Sequence, residues 1–238
     1  MNFYIAAPFG NYIKTKNTRS VIGTFTIERR TGLIKQLIKT LRYKDGVWYN
    51  ALGLRNPGVK FGLKYYHRNK KDILSLAAIE PEDWIKLSKI VPSDIDLEIN
   101  ISCPNIDHFD NYTKGIENFI LPNRKVIAKL APNTEIATVD KLLEKGFSSF
   151  HCCNTLPTTD GGMSGRRLRP YVINLCTVIK TLSKSAEIIA GGGIYEFNDI
   201  THYKNFGATG FSLGTVCFHP VKFYSLIKEI NGLQNIRS

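Results

Sequence analysis

The sequence predicts one α/β domain, a closed (β/α)8 barrel of the TIM type. Three observations point there. Short β-rich runs alternate with mostly helical segments, and eight such strands can be counted; strands alternating with helices build a parallel sheet, and eight units suggest closure. The 238 residues suffice for one large core, so residues 1–238 are read as a single domain. The polar and glycine-rich signals fall just after the strands, where parallel α/β proteins place their sites. A doubly wound open sheet shows the same alternation and stands as the structural alternative.

In order, residues 3–7 form a short apolar strand ended by Pro8, and residues 11–20 are a polar, basic loop. A second β-rich run covers 21–27. Residues 35–42 fit a strand or a short helix equally well. Residues 48–54 form an apolar run leading into the turn Asn56-Pro57-Gly58, and residues 59–68 read as an irregular amphipathic helix. A regular rhythm follows. Strands are expected at 73–79, 96–102, 125–130, 147–154, 186–190 and 210–213, and helices at 81–90, 112–120, 135–145, 170–182, 197–206 and 220–230. Gly146, Gly207 and Gly232 are the expected helix stops.

Composition narrows the function classes. No apolar run approaches the ~18 residues of a membrane span, and the N-terminus has no basic segment of a signal peptide. Five cysteines, odd in number and without CxxC spacing, argue for reduced thiols in the cytoplasm, with neither a disulfide framework nor a metal site. The net charge of +12 reads first as solvated helix and loop faces, with attraction to an anionic partner, nucleic acid or an anionic substrate, as the sharper reading. Two sequons, at Asn100 and Asn111, read as chance matches.

The most informative stretch is residues 96–105, Asp-Leu-Glu-Ile-Asn-Ile-Ser-Cys-Pro-Asn. Leu97, Ile99 and Ile101 alternate with Glu98, Asn100 and Ser102, a period of two that argues for a strand. Pro104 ends it, so Cys103 and Asn105 leave the carboxyl end as a loop. Lys129 lies inside an otherwise apolar strand, where a lysine is costly unless paired or used. Further strand ends carry Asn154-Thr155, Gly161–Gly165, Gly191–Gly193 and Gly214-Thr215. Glycines before helices let backbone N–H groups approach a phosphate, and barrels often hold one after strands seven and eight.

These segments together resemble the dihydroorotate dehydrogenase family of flavin-dependent (β/α)8 barrels, over about residues 48–216. Asn100 to Asn105 resembles its Asn-x-Ser-Cys-Pro-Asn loop in the first class; the second class has serine where Cys103 stands. Asn50 to Asn56 is similar to its Asn-x-x-Gly-Leu-x-Asn segment, and Gly161–Gly165 to its Gly-Gly-x-Ser-Gly loop. The resemblance implies FMN as cofactor, with Asn100, Lys129, Gly165, Gly192, Gly193, Gly214 and Thr215 binding it. It implies dihydroorotate as the small-molecule substrate, held by Asn50, Leu54, Asn100, Asn105, Asn154 and Thr155, with Cys103 as general base. It also implies a homodimer, and no membrane or nucleic-acid partner is expected. The electron acceptor, fumarate or NAD through a partner subunit, stays open.

The N-terminal quarter departs from the family. Its Ala-Ser-Gly flavin contact has no counterpart after Asn11, and a family lysine on the second strand corresponds to Gly23, for which Lys14 is a candidate substitute. A tRNA dihydrouridine synthase shares a similar Asn-x-Gly-Cys-Pro motif and suits the basic charge, but Ser102, Asn105 and Asn154-Thr155 depart from it. A degenerate barrel without catalysis is the non-enzymatic alternative, motivated by Gly23.

Overall fold

The structure is a computed structural model that describes residues 1–66, 71–101 and 109–235. The chain begins with β1 (Asn2–Ile5), β2 (Arg19–Phe25), α1 (Leu33–Thr40), β3 (Arg42–Lys44), β4 (Val47–Asn50) and α2 (Val59–Tyr66). It continues through β5 (Ile73–Leu76), α3 (Glu82–Ile90), β6 (Leu97–Ile101), α4 (Phe109–Tyr112), β7 (Val126–Leu130), α5 (Ile136–Glu144) and β8 (Ser149–Cys152). It ends with β9 (Leu156–Thr158), β10 (Gly161–Ser164), α6 (Arg169–Leu182), β11 (Glu187–Gly191), α7 (Phe197–Asn205), β12 (Gly210–Leu213) and α8 (Pro220–Asn235).

Eight of these strands close in the order β1-β12-β11-β8-β7-β6-β5-β2, all pairs parallel. They are the eight expected from the sequence, and closure excludes the open sheet. The β1–β2 crossover contains a 3₁₀ turn (Phe9–Asn11) instead of an α-helix among its residues.

Alternation sorts each strand's side chains between two environments. On β6, Leu97, Ile99 and Ile101 face outward into a core shared with Trp84 and Leu87 of α3, Val139 and Leu142 of α5, and Val172, Leu175 and Ile179 of α6. Inside the barrel, Tyr4, Val21, Ile73, Ile127 and Ile189 form a small apolar layer. Above that layer, toward the strands' carboxyl ends, the interior becomes polar.

The helices start and stop for local reasons. Pro170 occupies the first turn of α6, where its missing N–H costs nothing. Glu196 and Asp199 form a reciprocal capping box at the start of α7. Gly146 and Gly207 follow α5 and α7 with φ of 91° and 94°, the left-handed stop that glycine permits. Gly232 is different, because α8 runs through it to Asn235. The expected helix at 112–120 is likewise corrected to the single turn of α4 followed, after the left-handed Gly115, by a 3₁₀ segment (Ile116–Phe119). Residues 35–42, ambiguous in sequence, resolve mainly as α1.

A second sheet covers the barrel's carboxyl end. It is antiparallel, in the order β3-β4-β10-β9. It joins the apolar run at 48–54 to the Gly161–Gly165 segment, pairing Asn50 with Gly162 and Trp48 with Ser164. The sequence reading did not anticipate this sheet.

Candidate active site

A cavity of about 350 Å³ opens at the carboxyl end of the barrel. Its floor comes from the strands: Lys129 of β7, His151 of β8, Gly191 of β11 and Ser212 of β12. One wall carries Cys153, Asn154, Thr155, Gly165, Gly192, Gly214 and Thr215. The other is apolar, built by Phe9, Tyr12, Leu37, Trp48 and Phe218. This volume lies in the range of small-molecule sites, and a mostly apolar lining with a few polar groups is typical of them.

Beneath the floor, a polar chain crosses the barrel interior. Thr24 Oγ1 and Ser75 Oγ share a hydrogen bond of 2.9 Å, and Ser75 Oγ donates to Glu98 Oε1 at 2.9 Å. The other Glu98 oxygen lies 2.7 Å from His151 Nδ1, and Lys129 Nζ stands 3.7 Å from Oε1. Glu98, Lys129 and His151 are all at most 5% exposed. Burial alone pushes the Glu98 carboxyl up, but Lys129, His151 and Ser75 together outweigh it and hold its pKa at about 2. Burial pushes the His151 imidazole down; Glu98 opposes this and Lys129 adds to it. Lys129 is thus paired, and it stays on the cavity floor.

The sequence-predicted residues fall into four groups. Lys129, Asn50, Asn154, Thr155, Gly165, Gly192, Gly214 and Thr215 all line this cavity. Asn100 stands behind the wall, accepting a hydrogen bond from Asn154 Nδ2 at 3.1 Å, and Gly193 follows Gly192 with φ of 77°. Leu54 is not among the lining residues; it is half-buried in the loop after β4 with φ of 52°. Neighbouring Asn56 is a structural lock: its side chain bonds the backbone of Thr26 and Gly58 and the hydroxyl of Thr26. Cys103 and Asn105 lie outside the described residues.

Lys14 does not substitute for the missing lysine, because its ammonium pairs with Asp72 at 2.5 Å and does not line the cavity. Gly23 is held by Asn11, whose Oδ1 accepts its N–H at 2.8 Å. A Cβ at Gly23 would lie 2.7 Å from the Ser75 carbonyl oxygen and 2.8 Å from the Phe25 ring, so no side chain fits there. Lys129 is therefore the single lysine or arginine lining the cavity among the described residues.

The glycines divide by role. A Cβ at Gly162 would sit 2.5 Å from Thr155 Oγ1, and one at Gly161 would sit 2.7 Å from the Asn50 carbonyl oxygen. Those two glycines bring β10 close against the cavity wall. Gly165 and Gly192, with φ of 104° and 119°, expose backbone to the cavity itself. Nearby Arg166 and Arg169 are engaged with Glu196 and Asp199, so an anion here meets mainly backbone N–H groups. Ser212 Oγ and Trp48 Nε1, buried on residues that line the cavity, have no hydrogen-bond partner among the described residues. A flat, polar-edged ligand suits such a lining: apolar faces, orphaned donors and a glycine-bearing end.

Sequence reasoning missed His151 and Ser212, and it saw Glu98 only as one polar member of a strand. Their signal was a period-two polar pattern on several strands, legible only once the register puts those strands side by side.

A family model described as dihydroorotate dehydrogenase matches residues 9–233. The chain belongs to the dihydroorotate dehydrogenase family, and it is an oxidoreductase. A relative from Bacteroides fragilis, dihydroorotate dehydrogenase B (NAD(+)), catalytic subunit, is 29% identical over 76% of this chain and 71% of its own. A putative dihydroorotate dehydrogenase A (fumarate) from Pediococcus pentosaceus is 27% identical over 88% of this chain and 80% of its own. Among solved structures, ligand-free DHODH from Eimeria tenella superposes with a TM-score of 0.77 at 19% identity, covering 100% of this chain and 85% of that one. At that identity the structural likeness supports the fold.

Proposed function

We propose that the chain oxidises dihydroorotate to orotate with FMN as its cofactor, in de novo pyrimidine synthesis. The observation that carries the reading is one cavity lined together by Lys129, Asn50, Asn154, Thr155 and the glycine-bearing ends after β11 and β12, in a member of this family. Gly165, Gly192, Gly193, Gly214 and Thr215 would hold the FMN phosphate end through backbone N–H groups and the Thr215 hydroxyl. Lys129 and Ser212 would meet its polar edge. When bound, FMN supplies two-electron redox chemistry by accepting a hydride.

The chain's own residues do the rest. Asn50, Asn105, Asn154 and Thr155 orient the pyrimidine, with Asn100 holding Asn154 from behind the wall, since each amide offers both donors and an acceptor to its imide and carboxylate edges. Cys103 takes the proton from C5 as the hydride leaves C6. Its place in the sequence, within the family-like Asn100–Asn105 motif, supports that role. The Lys129 ammonium, held by Glu98, offsets the negative charge that develops on reduction. Trp48, Phe218 and Phe9 exclude water from one side.

Rapid mixing with dihydroorotate tests the roles. Cys103→Ala should keep FMN and orotate binding but slow flavin reduction by the ~10²–10⁴-fold typical of a lost acid–base group. Cys103→Ser should recover part of the rate at high pH. Parent-like reduction in Cys103→Ala would place the base elsewhere.

A further inference from the structure

The cavity floor holds one more titratable group than the chemistry above uses. His151 is 3% exposed and lines the cavity beside Lys129. Its Nδ1 faces the Glu98 carboxylate at 2.7 Å, so Nδ1 carries the proton and donates it. Nε2 is then left on the opposite edge of the ring. That edge points past Gly191: a Cβ added there would lie 2.5 Å from His151 Nε2 and 3.1 Å from Ser212 Cβ. Gly191 thus leaves room for the imidazole, and it separates Nε2 from Ser212, whose hydroxyl has no partner among the described residues.

The surroundings define what this nitrogen can do. Glu98 on β6 is the anion beside it, joined by Ser75 of β5. Lys129 on β7 is the cation that shares Glu98. On β8 itself, Cys153 is a buried thiol whose pKa burial pushes far up, so it stays neutral. Gly191 and Ser212 bring no charge from β11 and β12. The buried group is therefore one carboxylate between one ammonium and one neutral imidazole, and the imidazole has the next proton to gain. Added negative charge in the cavity favours protonating it; Glu98, already ionised, then stabilises the imidazolium.

We propose that His151 is a proton acceptor coupled to cofactor reduction: when the FMN in this cavity gains two electrons and a proton, a further proton from solvent binds His151 Nε2. This inference rests on the FMN reading above. The bookkeeping closes: the hydride brings the two electrons and one proton to the flavin, and the second proton comes from water and forms the Nε2–H bond. His151 so supplies, only in the reduced state, a second positive charge in a cavity where Gly23 leaves no room for another lysine.

The test is the flavin midpoint potential measured against pH on the FMN-loaded full chain, for the parent and for His151→Gln. Around neutral pH the parent slope should be steeper by one proton per two electrons, and His151→Gln should lose that increment. A second measurement needs no variant to fold: ¹⁵N-histidine spectra of the parent before and after anaerobic photoreduction. One imidazole should pass from a bare to a protonated Nε2 on reduction. Equal slopes, or a His151 ring whose protonation is unchanged, overturn this proposal while leaving the FMN reading intact. A chain that takes up no FMN overturns both.

Discussion

At the residue scale, the structure turns an apparent defect into a packing fact. The second-strand lysine that the family resemblance implies cannot stand at Gly23, because β2 is locked there against Ser75, Phe25 and Asn11. Gly23→Lys should therefore not restore a missing contact. It should destabilise the fold, by roughly 1–3 kcal/mol if the strand can shift, as read in a denaturant titration. Glu98 carries the opposite expectation. Among the described residues it is the sole anion between Lys129 and His151, and Glu98→Ala would leave a buried ammonium without that partner. Breaking a buried pair in this way costs about 3–5 kcal/mol, less whatever solvation Lys129 regains from the cavity whose floor it forms. The sequence exposed Lys129 as a charge inside an apolar run, but its partner could not be read. Glu98 and His151 are 53 residues apart, joined only by the register of β6, β7 and β8.

At the element scale, the loops after β11 and β12 are expected to fix the cofactor. Gly193 has φ of 77°, and a Cβ there would stand 2.9 Å from the Arg166 backbone. Gly193→Val should abolish flavin retention on a desalting column while the far-ultraviolet circular dichroism stays parent-like; a variant as yellow as the parent would move the phosphate elsewhere. The barrel strands were legible because each is short, apolar and bounded by turn signals. The covering sheet was not, for a physical reason. Its strands β3 and β9 have three residues each, too few for any periodicity, and the pairing that joins its two hairpins, β4 with β10, links segments more than a hundred residues apart. Likewise α1 has no buried residue, with Ile34 and Ile38 both 74% exposed, so its apolar spacing did not mark a core face.

At the scale of the whole molecule, barrel closure collects into one cavity Asn50, Lys129, Asn154, Thr155 and the glycine-bearing ends after β11 and β12, which the sequence showed as separate motifs. It also buries charge, which gives stability a pH dependence. The Glu98 pKa is depressed from 4.5 to about 2 in the folded state, so its contribution is present above pH ~4.5 and lost as the pH falls toward 2. The His151 pKa is depressed from 6.5, so the unfolded chain binds the proton first and stability falls as the pH drops below ~6.5. Both effects act in the same direction. Thermal unfolding should show a midpoint that declines from neutral pH toward pH 5, and His151→Gln should flatten that decline; an unchanged decline would assign it to other groups.

The account's central claim is that this cavity holds FMN and lets dihydroorotate reduce it. The most direct measurement is the visible absorbance of the FMN-loaded chain, under anaerobic conditions, before and after dihydroorotate is added. The oxidised flavin band should be present and should bleach on addition of dihydroorotate, with orotate appearing in equal amount. A chain that binds no flavin, or a bound flavin whose band dihydroorotate leaves unchanged, would contradict it.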